Sequence, residues 1–171
     1  MQPWHLLFGE RETCIVHSRL LTDYKNHIMA DSAGEFIRDN AVTNVSVHDS
    51  NHFIDLLDNE SQEGSEDRNV YGDSVYMSAE HLKLLLSLKF FECLCRKGSR
   101  GNPLSEEEKA NNREKSRIRC RVEHVFGIMA KQAGDLTMRC ISMARAERTI
   151  GLRNLAYNIS RYAMLASKAI R

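Results

Sequence analysis

Two carboxylates in this chain sit among residues that give them chemistry. Asp73 lies in "VYGDSVY", where a short β-forming run ends just before a helical stretch. Glu123 lies in "SRIRCRVEHVFG", a helix-like run in which Arg117, Arg119, Arg121 and His124 surround a single acid. Acids gathered from distant points suit divalent magnesium, which prefers hard oxygen ligands, and phosphoryl transfer uses two such ions about 4 Å apart. The plainer reading of Glu123 is an i, i+4 ion pair with Arg119, worth a fraction of a kcal/mol on an exposed helix.

The elements that must position these acids are legible as a pattern. "NHIMAD", the turn-like "SAG" and "EFIRDNAVTNVSV" read as two strands in an antiparallel hairpin, with "TCIVHSRLL" a weaker strand candidate before them. The polar run Asp58 to Asn69 reads as an exposed loop closing on the strand "NVYGD". An amphipathic helix follows, with Leu82, Leu85 and Leu86 on one face, and "FFECLCRK" returns to strand character. From Leu104 a long helix opens on a Ser105/Glu108 capping box and carries Ile118, Val122, Val125, Phe126, Met129 and Ala133 as one apolar stripe ending at Gly134. A last helix offers Leu152, Leu155, Ala156, Ile159, Ala163 and Ala166 as its apolar face.

Composition bounds the rest. The chain has 171 residues, 42% hydrophobic and 27% charged, with two prolines, which suits one globular domain. Its opening residues lack the pattern of a signal peptide, and no apolar run approaches the roughly 18 residues that cross a bilayer, so a cytosolic protein is expected. The net charge of +1 conceals a division. Residues 1 to 95 carry 7 Lys and Arg against 16 Asp and Glu, and residues 96 to 171 carry 17 against 7. A basic half suggests a polyanionic partner, although two halves neutralising each other within one fold explain the same numbers. The five cysteines match no disulfide framework or zinc ribbon, and reduced thiols are expected, with Cys93 and Cys95 merely sharing a strand face. His48 and His52 read as solvated rather than chelating.

Five blocks in order, "YKNHIMAD", "VTNVSVHDS", "VYGDSVY", "KGSRGNPLSEEEKANNREKSRIRCRVEHVFGIM" and "IGLRNLAYNISRY", give a more specific signal. From about Tyr24 to Tyr162 the chain resembles the C-terminal catalytic part of bacterial insertion-sequence DDE transposases, the group related to the fifth numbered insertion sequence. The resemblance implies an α/β, RNase H-like mixed sheet flanked by helices, incomplete at the N-terminus, with residues 1–23 a divergent segment and 24–168 a partial catalytic domain. It implies DNA transposition, in which three acids bind two Mg2+ ions to cut transposon ends and join them to target DNA. Asp73 falls on the aspartate of the "Y-x-D-S-x-Y" block and Glu123 on the glutamate of "R-x-R-V-E-H-x-F", as catalytic metal-binding acids. Arg117, Arg119, Arg121 and Lys131 are the expected DNA contacts, the full-length protein is expected to dimerise, and the setting is the cytoplasm, at the nucleoid.

Two departures accompany the match. The first acid of the family lies upstream of the "Y-K-N-H" strand, yet residues 1 to 22 contain no aspartate. Asp31 is the nearest substitute, although the family places that aspartate on the next strand. Seven positions after Glu123, where the family tends to carry a base, stands Ala130, with Lys131 one step off and turned by about 100°. An N-terminal DNA-end-binding segment has no counterpart, so the expectation is a truncated or frame-disrupted transposase domain, inactive alone. The alternatives are a non-catalytic DNA-binding remnant or regulator of transposition, and an unrelated helical module in which Asp73 and Glu123 lie far apart.

Overall fold

The computed structural model describes residues 13–21, 23–58, 68–133 and 141–169. Strands β1 (Thr13–Leu21), β2 (Tyr24–Asp31) and β3 (Ile37–Asn44) form an antiparallel meander, and β4 (Arg68–Gly72) and β5 (Phe90–Leu94) continue the sheet in parallel with β1, giving the order β3-β2-β1-β4-β5. The helices α1 (Phe53–Asp58) and α2 (Ala79–Ser87) pack on one face, α3 (Glu106–Ala133) and α4 (Met143–Ala169) on the other. This is the mixed sheet flanked by helices that an RNase H-like fold requires. The hairpin pairing expected for "NHIMAD" and "EFIRDNAVT" is observed, but "NVYGD" joins the sheet on the far side of β1.

The weakest strand candidate is therefore the central strand. Its alternation feeds both cores, Ile15 packing toward α3 and α4 and Val16 toward α1 and α2. On α3, Val122, Val125, Phe126 and Met129 are buried and Ile118 is partly covered, the stripe that the spacing predicts. The capping box forms as read: Ser105 Oγ accepts from the Glu108 N–H at 3.1 Å, and the Glu108 carboxylate accepts from the Ser105 N–H at 2.9 Å. Gly134 and most of the connection to α4 lie outside the described residues.

Two helix faces differ from expectation. On α2 only Leu85 is buried, and Leu86 is 76% exposed. On α4 the buried residues are Ala146, Ile150, Asn154 and Tyr157, while Leu152, Leu155 and Ile159 are more than half exposed. Polar contacts explain the rotation. Tyr157 Oη donates to the Glu35 carbonyl at 2.8 Å, Arg161 Nε donates to the Gly34 carbonyl at 2.8 Å, and Asn158 bonds both the N–H and the carbonyl of Ile37. They clamp the β2–β3 turn, where Glu35 holds a left-handed φ of 57°. Deeper in, Asn26 on β2 and Asn154 share a buried amide bond of 3.0 Å.

That pair makes a measurable prediction. Asn154→Ala leaves a buried amide unpaired and is expected to cost about 1–3 kcal/mol, lowering the melting temperature by several degrees. The double variant with Asn26→Ala should cost clearly less than the sum of the two single changes. Strict additivity in the melts would show that the two amides do not support each other.

Candidate acid site and nucleic-acid interface

Parallel pairing of β1 with β4 sets Ile15 level with Tyr71. His17 lies two residues beyond Ile15 on β1, while β4 ends at Gly72 and Asp73 follows as the cap of a short 3-10 turn, accepting a 2.7 Å bond from the Ser74 N–H. Side chains alternate on a strand, so His17 and Arg19 share the face of Ile15 and meet α3. There Glu123, one residue past the core position Val122, reaches His17 Nε2 with one oxygen at 3.0 Å and Arg19 Nη1 with the other at 3.8 Å. Phe126, one turn on, sets the edge of its ring against the His17 ring at 5.8 Å.

Burial pushes the His17 pKa down, and the charge of Glu123 offsets this only in part. Arg119 and Arg19 push it lower still, while Asp73 pulls the other way. The imidazole is thus neutral near pH 7 and donates its Nε2 proton to Glu123. Arg119, expected beside Glu123, is half-buried in the same neighbourhood and its Nε makes no hydrogen bond.

Asp31 is placed elsewhere. It accepts from the N–H groups of Gly34 and Phe36 and pairs with Arg38 at 3.3 Å, closing the β2–β3 turn. Its partner across the ladder is Cys14, three residues before His17 and so about 10 Å away along β1. His17 is the residue at this site that the sequence reading missed. It belongs to no spaced motif, and only the strand register reveals it.

The donor set can be tested against a pair of divalent cations. Such ions ask for several hard oxygens converging with open coordination positions. Here one Glu123 oxygen is bonded by an imidazole and the other faces the Arg19 guanidinium. Among the described residues, no three His, Cys, Asp or Glu side chains gather closely enough to hold a metal ion. The residues as arranged do not fit the group.

Cations line the outer side of α3. Arg117, Arg121 and Lys131 are exposed, and Arg121 Nη1 also donates to the Ser32 carbonyl at 2.6 Å. A shallow groove of about 450 Å³ runs beside Lys109, Asn112, Arg113, Ser116, Arg117 and Cys120. Cys93, Cys95 and Cys120 are free thiols, while His48 caps the turn before α1 and His52 lies 3.1 Å from Asp55.

Residues 17–159 match the family described as "Transposase DDE domain". The chain belongs to that family. It is also similar to the "Transposase for insertion sequence element IS1106" of Neisseria meningitidis serogroup B, 29% identical over 109 residues, which is 64% of this chain and 36% of that relative. The chain thus spans little more than a third of the curated transposase it matches. The match begins at His17, so within this transposase domain the second half of β1 belongs to the family region. Proteins of this family generally use divalent metals. Among the described residues no helix is long and apolar enough to cross a membrane.

Proposed function

We propose that this chain serves DNA transposition as the DNA-holding part of a transposase catalytic domain and does not cut DNA by itself. The observation that supports the reading is Glu123 held by His17 and Arg19 on a helix whose outer face is basic. Arg117, Arg119, Arg121 and Lys131 would hold phosphates, which fixes position without reading sequence. Transposon ends and target DNA are the partners that the family suggests, with a homodimer as the assembly of a full-length protein. Asp73 and Glu123 are the two acids assigned to the reaction that cleaves and joins strands. Mg2+, the cation expected for that reaction, would find only these two hard donors, and Asp31 serves its turn instead.

The test is a pair of assays on the purified chain. Fluorescence anisotropy with a labelled duplex should show binding that Arg117→Ala and Arg121→Ala weaken on any sequence. A supercoiled plasmid with Mg2+ or Mn2+ should remain intact. Nicking that disappears in Glu123→Gln would overturn the claim of inactivity, and no DNA binding at low salt would overturn the reading as a whole.

A further inference from the structure

We infer that His17 closes the acid site at Glu123: its imidazole holds the carboxylate that would otherwise face a divalent cation, and one substitution there, His17→Asp, opens the site to metal. The inference rests on the assignment of Asp73 and Glu123 as the acid site. Three observations carry it. His17 lies on the strand that pairs with β4 and faces α3, and Asp73 follows the end of β4. The imidazole holds one Glu123 oxygen at 3.0 Å, and the Arg19 guanidinium stands 3.8 Å from the other, so both oxygens already face positive or donating groups of the protein. Phe126 meets the imidazole in an edge contact, ring centroids 5.8 Å apart.

The chemistry of the exchange follows. An imidazole N–H donating to a carboxylate removes an oxygen lone pair from coordination and supplies no hard donor of its own. Aspartate at the same strand position supplies two oxygens, releases the Glu123 carboxylate, and sets its own charge beside that acid. Without a cation those charges repel, so the variant should depend on metal for stability.

The experiment measures Mn2+ binding and thermal stability in the full chain, with DNA affinity recorded alongside. Free Mn2+ is read by electron paramagnetic resonance, and melting temperature is followed with and without millimolar Mn2+ or Mg2+. The wild-type chain should leave the Mn2+ signal and the melting temperature unchanged. His17→Asp should melt lower than wild type without metal, recover on adding Mn2+, and bind that ion about tenfold or more tightly than wild type. Adding Glu123→Gln to it should cancel the gain. His17→Ala, which removes the imidazole and adds no oxygen, should remain as indifferent to metal as wild type.

Wild-type Mn2+ binding that Glu123→Gln abolishes would overturn the inference, as would a folded His17→Asp that ignores Mn2+ and Mg2+. If His17→Asp does not fold at all with metal present, the wild-type and His17→Ala titrations decide the matter, and metal binding by either would overturn it. The DNA arm separates this failure from that of the broader reading. Loss of the metal result with DNA binding intact leaves the transposase assignment in place, and loss of DNA binding with the metal result intact does the reverse.

Discussion

DNA affinity is expected to fall about a hundredfold when salt rises from about 50 mM to about 200 mM. Each neutralised phosphate releases condensed counterions and contributes about −0.9 to the slope of log affinity against log salt, so four contacts give a factor of about 150 for a fourfold rise. The four are Arg117, Arg119, Arg121 and Lys131. Anisotropy titrations at several salt concentrations would give the slope, and removing Arg117 and Arg121 together should reduce it by about two. The loss should be uniform across sequences, because phosphates carry no base information. A flat salt dependence would detach the basic half of the chain from DNA.

Stability is expected to drop on acidification, by up to about 3 kcal/mol between pH 6.5 and pH 4. His27 is 1% exposed on the face of the sheet under α1, with Nε2 bonded to Thr43 Oγ1 at 2.8 Å and Nδ1 without a partner. Burial lowers its pKa from 6.5 to about 4; Asp49 opposes this, and His52 and Lys25 add to it. The unfolded chain therefore binds a proton in this window that the folded chain refuses, so stability is fully present above pH 6.5 and is lost as the pH falls toward 4. Asp49 acts in the same direction at lower pH: burial opposes its ionisation, but bonds from Lys25 and Ser18 hold its carboxyl below the usual range. Urea melts from pH 7 to pH 4 would show the slope, and His27→Gln should flatten its upper part. An unchanged midpoint across that range in the wild-type chain would mean that His27 is free to protonate in the fold.

The local settings of the two acids were legible, Asp73 behind a strand and Glu123 inside a helix whose apolar stripe could be counted. His17 was not, since one histidine in an unremarkable strand gains meaning only from its neighbours in space. The face of α4 was misread for a related reason. Leucine and isoleucine at 152, 155 and 159 outweigh Asn154 and Tyr157 on any apolar scale, yet the asparagine and tyrosine make the bonds that fix the helix. Periodicity registers apolar area and is blind to a buried amide that finds its match 128 residues away. The block "IGLRNLAYNISRY" therefore acts as architecture: its Asn154, Tyr157, Asn158 and Arg161 hold the hairpin rather than the acids.

The Asn26–Asn154 bond also sets an order of events during synthesis. Asn26 leaves the ribosome early, but its amide waits for a residue made 128 positions later, roughly 6 to 25 s at about 5–20 residues per second. Throughout that interval the meander presents the apolar side of Ile15, Ile28 and Ala30 with a polar group at its centre and no α4 to cover it. A nascent chain stalled before α4 is then a sticky sheet, a natural client for chaperones and proteases, and release of the last helix is the step that turns it into a finished domain.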